Sequence, residues 1–359
     1  MAPRLQPSGI VNNIQVLRGI AAVMVVAHHL RDTLVPDLPG LAHIFVGATG
    51  VDVFFVISGF VISRSLMDPD LTPWTFMRRR TVRIVPLYWL CLGAIAAMLA
   101  VGMRPLGIQD ADANTLNMLK SLFFIPFLRE GAGVTPLLGV GWTLNLEMFF
   151  YLLCAIALAL PAQFRFRILA CVLITLPCLG WAFQPTNAPA ILFTQPLLLE
   201  FLSGCALAQW HFSHSNTRSR AFDGYVLVTL GVLGLGLPDL LGWTADFHTL
   251  SPQRWLFFGV PAFALVAGAV LLERAETSVS SRNWQLLGAA SYALYLTHPL
   301  VLQIGERVLQ PFGLPVFLNA AVLGIGCIGA GVLVHLWIEK PVTSHIQRRQ
   351  FAKAQATVA

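Results

Sequence analysis

The chain has 359 residues, of which 56% are hydrophobic and only 11% are charged. About a quarter of the residues of a soluble globular protein are charged, so this composition, with a mean hydropathy of +0.71, excludes that class. It predicts an all-α, polytopic membrane protein. The formal charge of +6 requires no nucleic-acid partner, because basic residues of membrane proteins gather in cytoplasmic loops. The six cysteines lie in apolar runs without a CxxC pair, so neither a disulfide framework nor a metal site is indicated.

Ten runs of the sequence are predicted to cross the bilayer, since a spanning helix needs about twenty largely apolar residues. They cover 12–32, 46–64, 83–102, 139–161, 167–184, 189–210, 224–242, 255–272, 285–304 and 314–338. A shorter run, 116–128, contains a proline and is predicted to be a re-entrant or interfacial segment. The first run is followed by no small-residue cleavage site, so we expect it to be retained. These runs predict a membrane domain over 1–345 and a polar cytoplasmic tail over 346–359.

The placement of basic residues predicts the orientation of these spans. With ten spans and a cytoplasmic N-terminus, seventeen of the 23 lysines and arginines lie in inside segments and six lie outside. That asymmetry has the sign that the positive-inside rule requires, and counting 116–128 as a span would remove it. Both termini are therefore predicted to be cytoplasmic.

The first span, within the stretch IQVLRGIAAVMVVAHHLR, carries an arginine near its start and two histidines near its end. Arg18 and His29 are eleven positions apart, which on a helix returns to within about 20° of the same face, about 16 Å along the axis. His28 lies about 100° away and is left out of the predicted site. Ionisable groups inside a span cost several kcal/mol and usually have a partner or a use.

Other spans place polar residues where a lipid-facing helix would have none. Under the predicted topology, His29, Asp52, Glu147 and His298 lie in the outer half of the membrane, while Arg18, Arg80 and Arg83 lie at the inner surface. Ionisable side chains in spans usually face the bundle interior, so these residues predict a polar cavity that opens outward above an arginine-lined inner mouth. Further candidates for its lining are Ser58, Tyr292 and Tyr295.

These residue types suit particular chemistry. An imidazole can act as a general base toward a hydroxyl when a carboxylate orients it, and Glu147 or Asp52 could supply that carboxylate. Arginines suit the phosphate oxygens of an anionic donor. Simpler roles stay open at this point: a lipid-headgroup anchor for the arginine cluster, a helix-dipole partner in Asp52, and packing for the tyrosines and His298.

Five stretches, in order, resemble motifs of the bacterial membrane acyltransferases called acyltransferase family three, most closely the exopolysaccharide and O-antigen O-acetyltransferase branch. They are IQVLRGIAAVMVVAHHL, GVDVFFVISGFVI, FMRRRTVRIVPLYW, WTLNLEMFFY and SYALYLTHP, spread from residue 14 to about residue 299. The resemblance implies that His29 is the essential histidine, that Arg18 belongs to the same motif, and that Arg80 and Arg83 handle acyl-CoA. It also places the family's two acidic motif residues on Asp52 and Glu147.

The resemblance implies transfer of an acyl group, commonly acetyl, from cytoplasmic acetyl-CoA to a hydroxyl of a surface or lipid-linked polysaccharide at the outer side of the inner membrane. Acetyl-CoA is then a co-substrate, and no bound cofactor or metal is expected. Because the chain ends soon after its tenth predicted span, it is expected to complete the transfer itself or to pass the acyl group to a glycan-assembly partner protein. Two alternatives remain at this point: a proton-coupled transporter of a glycan precursor, and a non-catalytic scaffold.

Overall fold

The computed structural model describes residues 11–36, 38–105, 107–214, 219–243 and 252–346, and within these it is a bundle of α-helices. Residues 347–359 of the predicted tail lie outside the described residues. The helices are α1 (Asn12–Leu34), α2 (Gly50–Leu66), α3 (Pro73–Ala100), α4 (Thr115–Leu122), α5 (Trp142–Leu158), α6 (Ala162–Phe183), α7 (Ala188–Phe193), α8 (Leu198–Ser213), α9 (Ala221–Leu241), α10 (Pro252–Arg254), α11 (Val260–Arg274), α12 (Arg282–Ala289), α13 (Ser291–Leu309) and α14 (Val316–Val334).

Short elements join these helices. In the described part of the chain, four 3-10 turns cover Pro39–His43, Val46–Thr49, Gly139–Gly141 and Gln310–Phe312, and two π-helical turns cover Trp255–Gly259 and His335–Glu339. One two-stranded antiparallel hairpin pairs β1 (Leu128–Arg129) with β2 (Gly133–Val134). The prediction of an all-α membrane bundle is confirmed.

Within the described part of the chain, nine helical stretches are long and apolar enough to cross a membrane. They match every predicted span except 285–304, which the structure divides into α12 and α13 around Ala290. The helix α13 has 19 residues but carries polar side chains, among which Tyr295, His298 and Gln303 are buried in the bundle. Its polar residues face other helices, which explains why apolar composition alone does not mark it as a span. The prediction of two cytoplasmic termini requires ten crossings and stays a prediction.

The predicted interfacial run 116–128 forms the short helix α4 and the start of the hairpin. Leu116, Leu119 and Phe123 are about half to two-thirds exposed, which suits a segment that lies against lipid headgroups. The hairpin is fixed by the buried guanidinium of Arg129, whose Nε donates to Asp112 at 3.0 Å. This loop is therefore a folded cap on the bundle.

The helix α1 lies at the centre of the bundle, where it packs against α2, α11, α12, α13 and α14. Its N-terminus has no side-chain cap of its own. Instead, the carboxylate of Glu273 on α11 accepts hydrogen bonds from the backbone N–H groups of Asn12 and Asn13, at 3.1 and 2.9 Å. This contact satisfies donors that every helix start leaves free, and it fixes the height of α1 in the bundle.

Backbone contact between α2 and α8 depends on two glycines. A Cβ atom at Gly59 would lie 2.0 Å from the carbonyl oxygen of Phe201, and one at Gly204 would lie 2.0 Å from that of Val56. No side chain fits at either position, so the two helices approach more closely than larger residues would permit. This approach sets the position of Ser58 and of the N-terminal turn of α2.

Replacing Gly59 with alanine should therefore separate the two helices and cost about 1–3 kcal/mol, the usual penalty of overpacking. We expect a lower midpoint of thermal unfolding for the purified protein in detergent. Gly93→Ala on α3 is the matched control, because nothing lies within 4 Å of its added Cβ atom. Equal midpoints for the two variants would contradict the close approach of α2 and α8.

Candidate functional site

One cavity lies among α1, α2, α3, α5 and α13 and holds about 100 Å³ of open space. One water molecule needs about 10–15 Å³ on the same measure, so the cavity has room for several water-sized groups. Seven of the ten predicted site residues line it, namely Arg18, Ser58, Arg80, Arg83, Glu147, Tyr292 and Tyr295. Apolar residues such as Phe54, Phe55 and Ile62 form the rest of its wall. A few convergent polar groups in an apolar cavity are typical of a ligand site.

The cavity is rich in guanidinium groups. In the part of the chain that the structure describes, none of Arg18, Arg80 and Arg83 forms an ion pair with a carboxylate within 4 Å. Arg18 Nη1 donates to Gln15 Oε1 at 3.3 Å, and Arg80 Nη2 donates to Ser65 Oγ at 3.4 Å. With neutral groups as their hydrogen-bond partners, these guanidinium groups keep a positive charge that favours binding of an anion.

Arg80 is held by aromatic rings as well. Its Cζ atom lies 5.4 Å from the ring centroid of Phe76 and 5.9 Å from that of Tyr151, both within cation–π range. Its Nε atom is buried and has no hydrogen-bond partner among the described residues. A buried donor without a partner costs free energy, so a bound acceptor at this atom would be stabilised.

Glu147 is the carboxylate of the cavity. Its Oε1 atom accepts hydrogen bonds from Ser58 Oγ, at 3.0 Å, and from the hydroxyl of Tyr151. Tyr151 lies four residues further along α5, on the same helix face. With three guanidinium groups against one carboxylate, the cavity keeps a net positive charge.

Tyr292 and Tyr295 of α13 form another part of the cavity wall. The hydroxyl of Tyr292 donates to the carbonyl oxygen of Ile84 at 2.6 Å, and that of Tyr295 donates to the carbonyl oxygen of Val140 at 3.0 Å. Tyr295 also lies 2.8 Å from Thr143 Oγ1. These bonds fasten α13 to α3 and to the start of α5, so both tyrosines shape the cavity while their hydroxyls hold helices together.

His29 lies beside a second histidine. His298 is fully buried, and its Nδ1 atom lies 3.2 Å from the carbonyl oxygen of Leu294, so Nδ1 carries the proton and Nε2 is an acceptor. His29 Nδ1 lies 2.9 Å from the carbonyl oxygen of Val25 and 3.3 Å from His298 Nε2. A proton on His29 Nδ1 suits both of these acceptors, and in that tautomer of neutral histidine Nε2 carries the lone pair of a base.

The histidine pair adjoins the cavity but does not line it. The ring centroid of His298 lies 6.0 Å from that of Tyr295, whose side chain belongs to the cavity wall. No carboxylate oxygen of the described residues lies within 4 Å of His29. The structure thus pairs His29 with His298, where the sequence predicted Glu147 or Asp52.

Asp52 lies in a separate cluster and does not line the cavity. Its side chain is fully buried, and both carboxylate oxygens accept from Arg254 Nη2, at 3.2 and 3.0 Å. The described residues thus place Asp52 apart from His29 and Glu147, and its predicted catalytic role stays a prediction.

Four residues of these sites were not singled out from the sequence: Thr143, Tyr151, Glu200 and Arg254. Tyr151 could have been found, because it lies one helical turn after Glu147. Glu200 could also have been found as a carboxylate inside an apolar span. Thr143 and Arg254 carry no comparable signal, since their partners lie on distant helices.

Comparisons with known proteins agree on one family. Residues 11–338 match the family described as Acyltransferase domain. The chain is 31% identical to "Exopolysaccharide production protein ExoZ" of Rhizobium meliloti, over 84% of this chain and 90% of that protein. It is 25% identical to "Putative peptidoglycan O-acetyltransferase YrhL" of Bacillus subtilis and 24% identical to "Peptidoglycan O-acetyltransferase OatA" of Listeria monocytogenes, over 91% and 84% of this chain. The matches span only 54% and 50% of those two relatives. No solved structure matches the chain.

The cavity charge predicts that a compact polyanion stabilises the folded protein. Inorganic pyrophosphate should raise the thermal unfolding midpoint of the wild type, because a ligand at 100 times its dissociation constant contributes about 2.7 kcal/mol. Arg80→Gln should abolish the increase. Arg79→Gln removes the same charge from an exposed neighbour outside the cavity and should leave the increase unchanged. An equal loss in both variants would mean that pyrophosphate binds the surface.

Proposed function

Because the chain belongs to the acyltransferase family and is a membrane O-acyltransferase of polysaccharide or peptidoglycan-type substrates, we propose that it transfers an acetyl group from acetyl-CoA to a sugar hydroxyl. The donor enters from the cytoplasm, and the acceptor is a surface or lipid-linked polysaccharide at the outer side of the inner membrane. Both termini are cytoplasmic in this proposal. The observation that carries it is the presence in one cavity of three guanidinium groups, none of which forms an ion pair with a carboxylate of the described residues.

The donor site is assigned to Arg18, Arg80 and Arg83. Coenzyme A carries several phosphate groups, and guanidinium groups bind phosphate oxygens in a two-pronged geometry. Arg18 and His29 share α1 with about 16 Å of rise between them, a distance that an extended pantetheine arm spans.

The base is assigned to Nε2 of neutral His29, because the hydrogen bonds at Nδ1 favour the tautomer whose lone pair is on Nε2. This nitrogen takes the proton of the acceptor hydroxyl while the hydroxyl oxygen attacks the thioester carbonyl carbon. The carbon–sulfur bond then breaks, and the departing thiolate takes the proton from His29. The products are the acetyl ester and coenzyme A, with all atoms and charges accounted for.

Two residues act on this step without taking part in proton transfer. His298 accepts from Nδ1–H of His29 and so fixes the ring orientation and the tautomer, as partners of working histidines commonly do. Glu147, fixed by Ser58 and Tyr151, lowers the net positive charge of the cavity and so permits coenzyme A to leave after transfer.

The family match favours an enzyme over the proton-coupled transporter that the buried ionisable residues also suggested. A transporter would use the same residues to move protons and would release no coenzyme A. An assay for coenzyme A release therefore distinguishes the enzyme from the transporter.

We expect purified protein in lipid to release free coenzyme A from labelled acetyl-CoA and to label surface polysaccharide from the producing cells. His29→Ala should lower this rate by about 10²–10⁴-fold, the usual contribution of a general base. His28→Asn is the matched control, since the neighbouring ring is not bonded to His298, and it should keep most of the activity. Unchanged turnover in His29→Ala would overturn the role of the base, and wild-type protein without coenzyme A release would overturn the enzyme.

The donor assignment has its own test. S-Acetylpantetheine carries the same thioester without the phosphates, so wild-type protein should use it far less well than acetyl-CoA. Arg80→Gln should lower the ratio of the rate with acetyl-CoA to the rate with S-acetylpantetheine by about tenfold or more. A hydrogen bond to a charged group contributes about 1.5–3 kcal/mol, which corresponds to such a change. Arg79→Gln should leave the preference unchanged. An identical preference in wild type and Arg80→Gln would show that the phosphates bind elsewhere.

A further inference from the structure

Three charged side chains form a buried cluster outside the cavity. Asp52 is the third residue of α2, Glu200 is the third residue of α8, and Arg254 is the last residue of α10. Both carboxyl groups have no exposed surface, and Arg254 is 6% exposed. None of the three lines the cavity. The donor and base assignments use none of them.

The two carboxyl groups of this cluster have different surroundings. Asp52 accepts from Arg254 through both oxygens, so its negative charge has a direct partner. Glu200 lies within hydrogen-bonding reach of Asp52. Among the described residues, no donor group reaches either oxygen of Glu200.

Charge balance then determines the protonation state of Glu200. Two ionised carboxylates and one guanidinium would leave a net charge of −1 inside the bundle, where an uncompensated ion is strongly disfavoured. Two neighbouring carboxyl groups avoid this by sharing one proton. Since Arg254 compensates Asp52, the proton belongs on Glu200, whose O–H then donates to Asp52.

The backbone around Glu200 is shaped to enclose its carboxyl group. The π-helical turn Trp255–Gly259 follows Arg254 directly. A Cβ atom at Gly259 would lie 3.1 Å from both Cγ and Oε1 of Glu200 and 2.7 Å from Cδ1 of Trp255. Glycine leaves this space to the Glu200 side chain, so the wall of the site belongs to a third segment besides α2 and α8.

We propose that Glu200 stays protonated at neutral pH and donates a hydrogen bond to Asp52. Because Asp52 in turn binds Arg254, this proton links α8 to α2 and α10. The inference does not depend on the acetyl-transfer proposal, since the site lies outside the cavity and its readouts are spectroscopic and thermal. Glu200 and Asp52 should accordingly respond in opposite ways to amide substitution.

The first test is infrared spectroscopy of the purified protein at neutral pH. Wild-type protein should show the carbonyl stretch of a protonated carboxylic acid, with the usual downshift in D₂O, and Glu200→Gln should lose that component. A spectrum of Glu200→Gln that keeps the whole band of the wild type would overturn the proposal, as would a wild type without any such band. This comparison needs only Glu200→Gln, because a glutamine side chain has nearly the same size and shape as that of glutamate.

The second test compares thermal unfolding. Glu200→Gln keeps a donor toward Asp52 and should unfold within about 2 °C of the wild type, with acyl transfer unchanged. Asp52→Asn removes the charge that compensates Arg254 and should lower the midpoint by about 5 °C or more. The reverse order, with Glu200→Gln the more damaging change, would mean that Glu200 is ionised and would reject the proposal. If Asp52→Asn yields no folded protein, the midpoint of Glu200→Gln against wild type still decides.

Discussion

The placement of three guanidinium groups around one cavity of the helix bundle is the constraint on which the other features of the site depend. Three guanidinium groups face one cavity, and the only carboxylate that lines it among the described residues is Glu147. Ions inside a membrane protein require partners, and the partners described here are aromatic faces and neutral oxygens. The contacts of Ser58, Tyr151 and Phe76 follow from that need. A cavity with balanced charges would attract an anion less strongly.

Helix periodicity predicted much of the fold because apolar length is a local property. The nine apolar spans were visible without any knowledge of packing. The helix α13 was placed correctly in the chain, yet its start at Ser291 and the separate helix α12 were not predicted. Where a helix is surrounded by others, its polar residues are satisfied by neighbours, and apolar composition alone no longer marks it as a span. The interfacial run 116–128 was likewise visible, but the hairpin that Arg129 fixes was not.

The site was predicted less completely for a geometric reason. Sequence gives the approximate depth of a residue in the membrane, and depth grouped Arg18, Arg80 and Arg83, which line one cavity. It placed Glu147 with the histidines in the outer half, whereas the structure brings Glu147 into the cavity of the arginines. Sequence does not give the direction in which each helix turns a residue. Asp52 and His29 lie at comparable predicted depths, but the close approach of α2 and α8 at Gly59 and Gly204 turns Asp52 toward Arg254 instead. Contacts of that kind depend on helix pairs far apart in the chain.

The hydrogen bonds of the histidine pair have a consequence for energy coupling. In the proposed transfer, His29 and His298 are both neutral with the proton on Nδ1, at the start of a turnover and again at its end. A hydroxyl becomes an ester, and a thioester becomes a thiol, so no net charge crosses the bilayer in one turnover. The membrane potential contributes about 2.3 kcal/mol per 100 mV only when an elementary charge moves through it. In the proposed reaction, an acetyl group would therefore leave the cytoplasm at the expense of the thioester alone, without drawing on the voltage across the membrane.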